Sequence, residues 1–218
     1  MTQTTGSKQI GITMREVFAR NADEPCDTLS HNWHAYMTFA LPEANWIPIP
    51  NLGADAAIDF VERHAIDGLI LSGGNDIGDN SRRDATEQAL LAHFLAKERP
   101  VFGISRGMEQ IQLHAGGKLT KIDARVHVDT QHPIRAQNGP DGIGWSGIRT
   151  VNSDHEYGIP FDQLHPSLYS LAITNDDWVE AALMRDRRVG GLMWHPEREE
   201  NFNLRDRSLI RWVFGYGE

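Results

Sequence analysis

The sequence has one cysteine, Cys26, among 218 residues, and it has no long apolar run. One thiol cannot close an internal disulfide, so a disulfide-stapled secreted scaffold is excluded. No window approaches the roughly 20 apolar residues of a membrane-spanning helix, and residues 1–8 are polar, unlike a signal peptide. The sequence therefore predicts a cytoplasmic protein that does not act at a membrane, in which residues 1–8 form a disordered tail.

Positive charge is also scarce, because 21 Lys and Arg residues oppose 30 Asp and Glu residues, for a net charge of −9. An acidic surface repels phosphate backbones, so nucleic acid is not an expected partner. The 40% of hydrophobic and 23% of charged residues are typical of a globular chain that is long enough for one sizeable core. We expect residues 9–218 to form a single domain that binds a small molecule, and a homodimer is left open.

Short apolar runs alternate with helical patterns along the chain, which is typical of an α/β domain with a mostly parallel central sheet and helices on both faces. The expected strands are 9–13, 46–50, 68–72 and 101–104, with two or three more between 146 and 194 around a turn at 186–187. The expected helices are 29–44, 54–64, 84–97, 107–114 and 204–214. Residues 119–144 have Asn, Pro and Gly signals and few apolar residues, so we predict long loops there.

The strongest local signal is Val-Phe-Gly-Ile-Ser-Arg-Gly-Met at 101–108, where an apolar strand runs directly into a helix. Gly103 and Gly107 lie two positions on either side of Ser105, which permits the sharp strand-to-helix turn of a nucleophile. The following helix directs backbone N–H groups at the same place, which suits a developing oxyanion. The same pattern also fits the serine elbow of α/β-hydrolases, or a plain turn in which Ser105 caps the helix.

A base and its orienting carboxylate are predicted near the end of the chain, in Trp-His-Pro-Glu at 194–197. Residues two apart in an extended chain project to the same side, so Glu197 can fix one tautomer of His195 while the other ring nitrogen faces a nucleophile. In α/β-hydrolases the acid precedes the histidine and lies well apart from it. The order Ser105, His195, Glu197 therefore argues against a serine esterase and predicts a different catalytic triad.

Two glycines after the predicted strand 68–72 are candidates for an oxyanion hole. Glycine lets the backbone approach a ligand closely. The predicted oxyanion donors are the backbone N–H groups of Gly74 and Arg106. A plain tight turn at Gly73 and Gly74 is the alternative.

Three histidines, His127, His132 and His155, invite a metal interpretation. No HExxH motif or carboxylate facial pattern accompanies them. We therefore predict no metal site and interpret these histidines as substrate contacts, with surface histidines as the alternative.

Four motifs together resemble the class I glutamine amidotransferases. They are Ser-Gly-Gly at 72–74, Gly-Ile-Ser-Arg-Gly-Met at 103–108, Val-Asn-Ser-Asp-His at 151–155 and Trp-His-Pro-Glu at 194–197. The closer resemblance is to their γ-glutamyl-γ-aminobutyrate hydrolase branch, peptidase C26, on Asn-Asp-Ile-Gly at 75–78, Arg-Asp-Ala-Thr-Glu at 83–87 and the segment 151–155. The resemblance implies a flavodoxin-like architecture and hydrolysis of a γ-glutamyl amide through a covalent γ-glutamyl-enzyme, without metal or organic cofactor. The chain also resembles the γ-glutamyl-CDP-amidate hydrolases of capsule or lipopolysaccharide gene clusters.

The substrate site implied by this resemblance includes the segment 152–155, which borders the γ-glutamyl pocket in the family. The residues expected to contact the substrate are Gly73, Glu109, Asn152, Ser153, His155 and His132. A glutaminase subunit that feeds ammonia to a separate synthase is an alternative to a hydrolase.

Two positions depart from the family pattern. The family has cysteine where this sequence has Ser105, and a hydroxyl needs full general-base help where a thiolate is already a strong nucleophile. Ser105 fits three interpretations: a disabling replacement that traps substrate, a natural serine amidohydrolase, or a pseudoenzyme that binds a γ-glutamyl ligand. We favour the first because every other triad element is intact. The family usually has Gln at the position of Glu109, whose carboxylate would pair with the α-ammonium of a γ-glutamyl group.

Overall fold

The computed structural model describes residues 7–19, 24–139, 143 and 145–217. The predicted disordered tail lies mostly outside these ranges, but its last two residues contact the folded chain. The Ser7 hydroxyl donates to the Glu43 carbonyl oxygen at 2.6 Å, and the Lys8 carbonyl oxygen accepts from the Asn45 N–H at 2.9 Å. The prediction of disorder is therefore wrong for Ser7 and Lys8, because both hydrogen-bond to the segment that leads into an edge strand.

A nine-stranded sheet forms the centre of the fold. The strands in chain order are β1 (Gln9–Thr13), β2 (Arg15–Phe18), β3 (Pro25–Thr28), β4 (Asn45–Ile49), β5 (Gly68–Leu71), β6 (Val101–Ile104), β7 (Thr120–Lys121), β8 (Thr130–Ala136), β9 (Gly147–Ser153), β10 (Tyr157–Gly158), β11 (Leu168–Thr174), β12 (Val179–Met184) and β13 (Val189–Leu192). The order across the sheet is β4-β1-β5-β6-β13-β12-β11-β8-β9, while β2 pairs with β3 and β7 with β10. Neighbours are parallel from β4 to β13 and antiparallel from β13 to β9. This confirms the predicted α/β class with its parallel centre.

Helices cover both faces of the sheet. They are α1 (Asn32–Ala40), α2 (Ala54–Arg63), α3 (Ser81–Ala96), α4 (Arg106–His114), α5 (Ala124–His127) and α6 (Leu204–Phe214). Side chains of a strand alternate between faces, so Ile70 of β5 joins the hydrophobic cluster under α1 and α6, whereas Leu69 and Leu71 join the one under α2, α3 and α4. Within the residues that the structure describes, no helix combines the length and apolar character needed to cross a bilayer.

The five predicted helices are present, but the bounds of two of them are wrong. The first helix spans only Asn32–Ala40 rather than 29–44. The third begins at Ser81 rather than 84, because the Asn80 side chain accepts a hydrogen bond from the Arg83 N–H at 2.8 Å and so caps an earlier start.

The prediction of long loops over 119–144 is wrong, because this stretch contains β7, α5 and β8. The inward positions of β8 are His132 and Ile134, with Pro133 exposed between them. A histidine at an inward position weakens the apolar alternation that would otherwise mark a strand. Pro133 is tolerated because β8 pairs with β11 only from Ile134 onward, which leaves that edge of the strand open.

The expected two or three strands between 146 and 194 are also too few. This part of the chain supplies four strands of the central sheet, β9, β11, β12 and β13. The predicted turn at Asp186 and Arg187 is confirmed, since it lies between β12 and β13.

Candidate active site

Ser105 lies between β6 and α4 in a strained backbone conformation. Its φ of 52° and ψ of −113° fall outside the ordinary regions for a residue with a side chain. The turn is tight, since a Cβ on Gly103 would lie 2.4 Å from the Gly107 carbonyl carbon, and one on Gly107 would lie 2.2 Å from the Leu71 oxygen. Ser105 precedes the first residue of α4, yet its side chain makes no capping hydrogen bond. The interpretation of Ser105 as a plain helix cap is therefore wrong.

The pair of His195 and Glu197 follows β13, the strand that lies parallel to β6. His195 Nδ1 lies 2.8 Å from Glu197 Oε1, and both side chains are buried. A carboxylate only accepts hydrogen bonds, so Nδ1 carries the proton and Nε2 of the neutral ring keeps its lone pair. Because Ile104 of β6 pairs with Leu192 of β13, the two strands end side by side and deliver Ser105 and His195 to one cleft.

Two adjoining clefts meet at His195. The first has a volume of about 260 Å³ and is called here the Ser105 cleft, because Ser105, Arg106, Glu109 and His155 line it. The second has a volume of about 330 Å³ and is called the Trp33 cleft, because Trp33 lines it together with Ser30, Gly73 and Glu197. The residues that border both clefts are Arg15, Gly74, Asp154, His195 and Arg198. A pair of clefts on either side of one histidine can hold the two halves of a substrate.

The peptide groups at Gly73 and Gly74 are oriented by a buried arginine. The Arg83 guanidinium donates to the carbonyl oxygen of Ser72 at 2.9 Å, to that of Gly73 at 3.0 Å and to that of Gly74. In a trans peptide the N–H points opposite to the carbonyl. The Gly74 N–H therefore points away from Arg83, and Gly74 itself borders both clefts. The φ of +81° at Gly74 suits glycine.

Behind this loop lies a buried cluster of charges, called here the arginine cluster: Arg83, Asp84, Glu87 and Arg106. Arg83 Nε lies 3.0 Å from Glu87 Oε1, and the Arg106 guanidinium contacts both Glu87 and Asp84. Burial lowers the pKa of both arginines to about 10, so they stay charged at neutral pH. This cluster was missed from sequence, although the spacing of Arg83 and Glu87 by four residues on a helix was a usable signal.

Glu109 lies on the first turns of α4 and lines the Ser105 cleft. Its side chain is buried, with a residue exposure of 3%. Burial raises the pKa of Glu109 to about 7; the charge of Asp76 raises it further, while His155 and Arg106 lower it. The alternative of a solvated helix residue is therefore wrong, and the carboxyl of Glu109 changes charge near neutral pH.

Three residues predicted to contact substrate do not line either cleft, and two of them hydrogen-bond to protein groups instead. Asn152 Nδ2 donates to the His195 carbonyl oxygen at 2.8 Å, and Asn152 Oδ1 accepts from the His195 N–H at 3.0 Å. The Ser153 hydroxyl donates to the His127 carbonyl oxygen at 2.7 Å. His132 is buried, and neither it nor the other two are among the residues that line the two clefts. The prediction of direct substrate contact is therefore wrong for Asn152, Ser153 and His132.

The other predicted substrate residues do border the clefts. His155 is buried at the wall of the Ser105 cleft. Gly73 lines the Trp33 cleft, and a Cβ there would lie 2.4 Å from His195 Cε1, so only glycine leaves room for the imidazole. Sequence reasoning missed three other lining residues, Arg15, Trp33 and Arg198, because they come from separate segments without a shared motif.

Two curated proteins and one solved structure are among those similar to this chain in sequence or fold. The chain is 30% identical over 203 residues to Protein NtpR of Enterococcus hirae, covering 78% of this chain and 83% of that protein. It is 27% identical over 202 residues to the gamma-glutamyl-CDP-amidate hydrolase of Campylobacter jejuni, covering 89% and 92%. The glutaminase domain of Trypanosoma brucei CTPS, solved with bound acivicin, superposes with a TM-score of 0.68 at 13% identity, covering 97% of this chain and 96% of that one. The last likeness shows that this chain and that domain share a fold.

A family model covers most of the chain. The Peptidase C26 model matches residues 10–197, a range that begins in β1 and ends at the Glu197 carboxylate. It thus includes the elbow at Ser105 and the histidine that follows β13. On this match and the relatives above, the chain belongs to the Peptidase C26 family.

Proposed function

We propose that this fold hydrolyses a γ-glutamyl amide through a covalent γ-glutamyl-enzyme, and that Ser105 is a disabling replacement at the nucleophile position. The observation that carries the proposal is the convergence of a strained elbow at residue 105 with His195, the buried partner of Glu197, on one cleft. The Campylobacter jejuni relative, named as a gamma-glutamyl-CDP-amidate hydrolase, supports this substrate class.

The proposed first step is attack by the side chain of residue 105 on the γ-carbonyl carbon. His195 Nε2 takes the proton of the nucleophile, and Glu197 stabilises the imidazolium through Nδ1–H. The Gly74 and Arg106 N–H groups donate to the developing oxyanion. The C–N bond then breaks, and the leaving amine takes the proton from His195, which leaves the γ-glutamyl group bonded to residue 105.

The second step releases glutamate. Water attacks the γ-glutamyl-enzyme while His195 accepts a proton from it, and that proton returns to the side chain of residue 105. A thiolate suits both steps, whereas a serine hydroxyl needs the full help of His195 at the moment of attack. A site shaped for sulfur holds the shorter hydroxyl too far away, and a 1 Å error can lower the rate about a hundredfold.

The two clefts would hold the two halves of the substrate. We assign the γ-glutamyl group to the Ser105 cleft, where the ionised Glu109 carboxylate would pair with the α-ammonium. The leaving group would occupy the Trp33 cleft, where Arg15 and Arg198 supply positive charge and Trp33 supplies an aromatic surface. This combination favours an anionic leaving group such as a nucleotide.

The test compares the Ser105, Ser105→Cys and Ser105→Ala forms on a panel of γ-glutamyl amides that includes γ-glutamyl-CDP-amidate. We expect Ser105→Cys to release glutamate at least about a hundredfold faster than Ser105, with a transient γ-glutamyl adduct at residue 105 in intact-protein mass spectrometry. Ser81→Cys, which places a thiol on an exposed residue of α3, is the matched control and should gain nothing.

Other outcomes decide against parts of the proposal. Equal turnover by Ser105 and Ser105→Cys would make this a genuine serine amidohydrolase. Ligand binding without turnover by either form would make the protein a pseudoenzyme. Turnover of glutamine alone, and only with an added synthase, would make it a glutaminase subunit.

A further inference from the structure

Four buried side chains converge next to the Ser105 cleft, and the proposed reaction uses none of them as acid or base. They are His127 at the end of α5, His132 on β8, His155 after β9 and Glu180 on β12. Their exposures are 0%, 5%, 6% and 0%. We call these four residues the histidine cluster. Because they come from four separate segments, they form a site only in the folded chain.

Three of these side chains lie close enough together to reach one metal ion. Ligand atoms of His127, His132 and Glu180 all lie within 4.8 Å of one another. His132 Nε2 lies 3.3 Å from Glu180 Oε2, and His155 Nε2 lies 3.6 Å from Glu180 Oε1. Two ligands that each bind a tetrahedral zinc ion at about 2.0–2.1 Å lie roughly 3.4 Å apart. The two measured separations are close to this value.

Neighbouring groups orient two of the imidazoles towards the centre of the cluster. His155 Nδ1 lies 2.8 Å from the Tyr157 carbonyl oxygen, which only accepts, so Nδ1–H donates and in the neutral ring Nε2 keeps a lone pair. His127 Nε2 lies 3.3 Å from a carboxylate oxygen of Asp176, which leaves Nδ1 as the lone-pair nitrogen. Metal-binding histidines commonly donate their other N–H to a carbonyl or carboxylate in this way.

The inward atoms are left without hydrogen-bond partners among the residues that the structure describes. They are His127 Nδ1, both ring nitrogens of His132, His155 Nε2 and both carboxylate oxygens of Glu180. When the rings of His127 and His155 are neutral, their lone pairs and the Glu180 carboxylate are all acceptors, and only the single N–H of His132 can offset them. Acceptors facing one another in a dry interior destabilise the fold. A bound cation, or extra protons on the rings, removes this conflict.

We propose that the histidine cluster binds one divalent transition-metal ion of the zinc class, with His127, His132 and Glu180 as ligands and His155 as the fourth. Imidazole ligands favour zinc, cobalt, nickel or copper over magnesium or calcium, which prefer oxygen. The ion would be structural, because four protein ligands leave no open position for substrate. It would join α5, β8 and β12 and fix His155 at the wall of the Ser105 cleft. This departs from the sequence-based expectation of no metal.

The first measurement is the metal content of the untagged full-length chain, since a polyhistidine tag would itself bind zinc. We expect about one zinc ion per chain by plasma mass spectrometry after desalting. Removal by a chelator should lower the melting temperature by roughly 5–10 °C, and added zinc should restore it. Cobalt added to the metal-free chain should give the visible absorption of a four-coordinate site. None of these readouts needs the proposed hydrolase activity.

Variants identify the ligands. His132→Gln and Glu180→Gln should bind less than about a tenth of an ion per chain, because a tetrahedral site lacks a ligand in each. The matched controls are His114→Gln and Glu98→Gln at exposed positions, which should bind as the unaltered chain does. If the ligand variants do not fold, the cobalt spectrum of the unaltered chain decides by itself.

Two results would overturn the proposal. One is a zinc content below about a tenth of an ion per chain after incubation with zinc, with no cobalt spectrum. Protons on the imidazoles would then balance Glu180. The other is equal metal binding by the unaltered chain and both ligand variants, which would place the ion elsewhere on the protein.

Discussion

Two clusters of buried charges border the Ser105 cleft, and they differ in how the charges are balanced. In the arginine cluster, the guanidinium groups of Arg83 and Arg106 contact the carboxylates of Glu87 and Asp84, so opposite charges face one another. In the histidine cluster, Glu180 faces imidazoles of which two have their N–H turned outward to Tyr157 and Asp176. Buried polarity alone thus does not indicate a ligand site. What separates the two clusters is the partner of the buried carboxylate: Glu87 faces guanidinium groups, which only donate, whereas Glu180 faces imidazoles, which also carry lone pairs.

Glu109 connects the two clusters across the Ser105 cleft. Arg106 of the arginine cluster and His155 of the histidine cluster both lower its pKa, against the larger effect of burial. A change in either cluster should therefore alter the charge of the cleft.

The largest effect is expected from Arg83→Met, which breaks the balanced cluster. It leaves Glu87 with Arg106 as its remaining cation and leaves the carbonyl groups of residues 72–74 without their donor. Removing one partner of a buried ion pair costs about 3–5 kcal/mol of unfolding free energy. Urea denaturation at pH 7 measures this loss, with Arg82→Met at the exposed neighbouring position as control. Equal midpoints for the two variants would show that the cluster contributes no stability.

A smaller and pH-dependent effect is expected from Glu109→Gln. Between its ordinary pKa of 4.5 and its folded value of about 7, the folded chain holds a proton on Glu109 that the unfolded chain has released. This group's contribution to stability is therefore present at low pH and is lost as the pH rises through that window. Relative to Glu109→Gln, the unaltered chain should lose roughly 2–3 kcal/mol between pH 5 and pH 8.

Urea midpoints at several pH values measure that difference. Glu98→Gln, at an exposed position, should follow the unaltered chain at every pH. Parallel curves for the unaltered chain and Glu109→Gln would show that the pKa of Glu109 is not raised by burial.

Asn152→Ala tests how His195 is held in place. The substitution removes both side-chain hydrogen bonds to the His195 backbone, and the unpaired peptide groups should cost about 1–3 kcal/mol of unfolding free energy. In the Ser105→Cys background, kcat should fall more than KM rises, because His195 moves while the other cleft residues stay. Asn201→Ala, at an exposed position, is the control. Unchanged stability and kcat would mean that the chain holds His195 without Asn152.

The smallest effect is expected at an exposed set of charges on α2 and α3. Glu62 contacts His93, Lys97 and Arg99, and the hydrogen bond from His93 lowers its pKa to about 2, with Lys97 as the next cause. Because the Glu62 side chain is 40% exposed, water screens these contacts. Glu62→Gln should therefore leave the urea midpoint unchanged within error. A loss comparable to that of Arg83→Met would contradict the distinction between buried and surface clusters.

The two halves of the sheet also differ in how well the sequence predicted them. Strands β1, β5 and β6 are buried on both faces, so they appear in the sequence as continuous apolar runs with unambiguous ends. The antiparallel half contains β8, whose inward positions include His132. There the sequence predicted loops. A strand is recognised by alternating apolar residues, and a polar residue at an inward position breaks that alternation.

The candidate site divides in the same way. Local spacing constrains the geometry of two short segments, Ser105 with its flanking glycines and His195 with Glu197. The arrangement within each segment could therefore be predicted. The contacts of Asn152 with His195 and of His132 with Glu180 could not be predicted, because the two residues of each pair lie far apart along the chain.

The sequence alone determined the α/β class, the strand-to-helix turn at Ser105 and the adjacency of His195 to Glu197, since each follows from residues within a few positions of one another. Only the tertiary structure decided which polar residues face the clefts, that Arg83 holds the carbonyl groups behind Gly74, and that three histidines surround Glu180. The physical reason is that burial and pairing of a polar side chain depend on the elements packed against it. In this fold those elements are brought together from segments far apart along the chain.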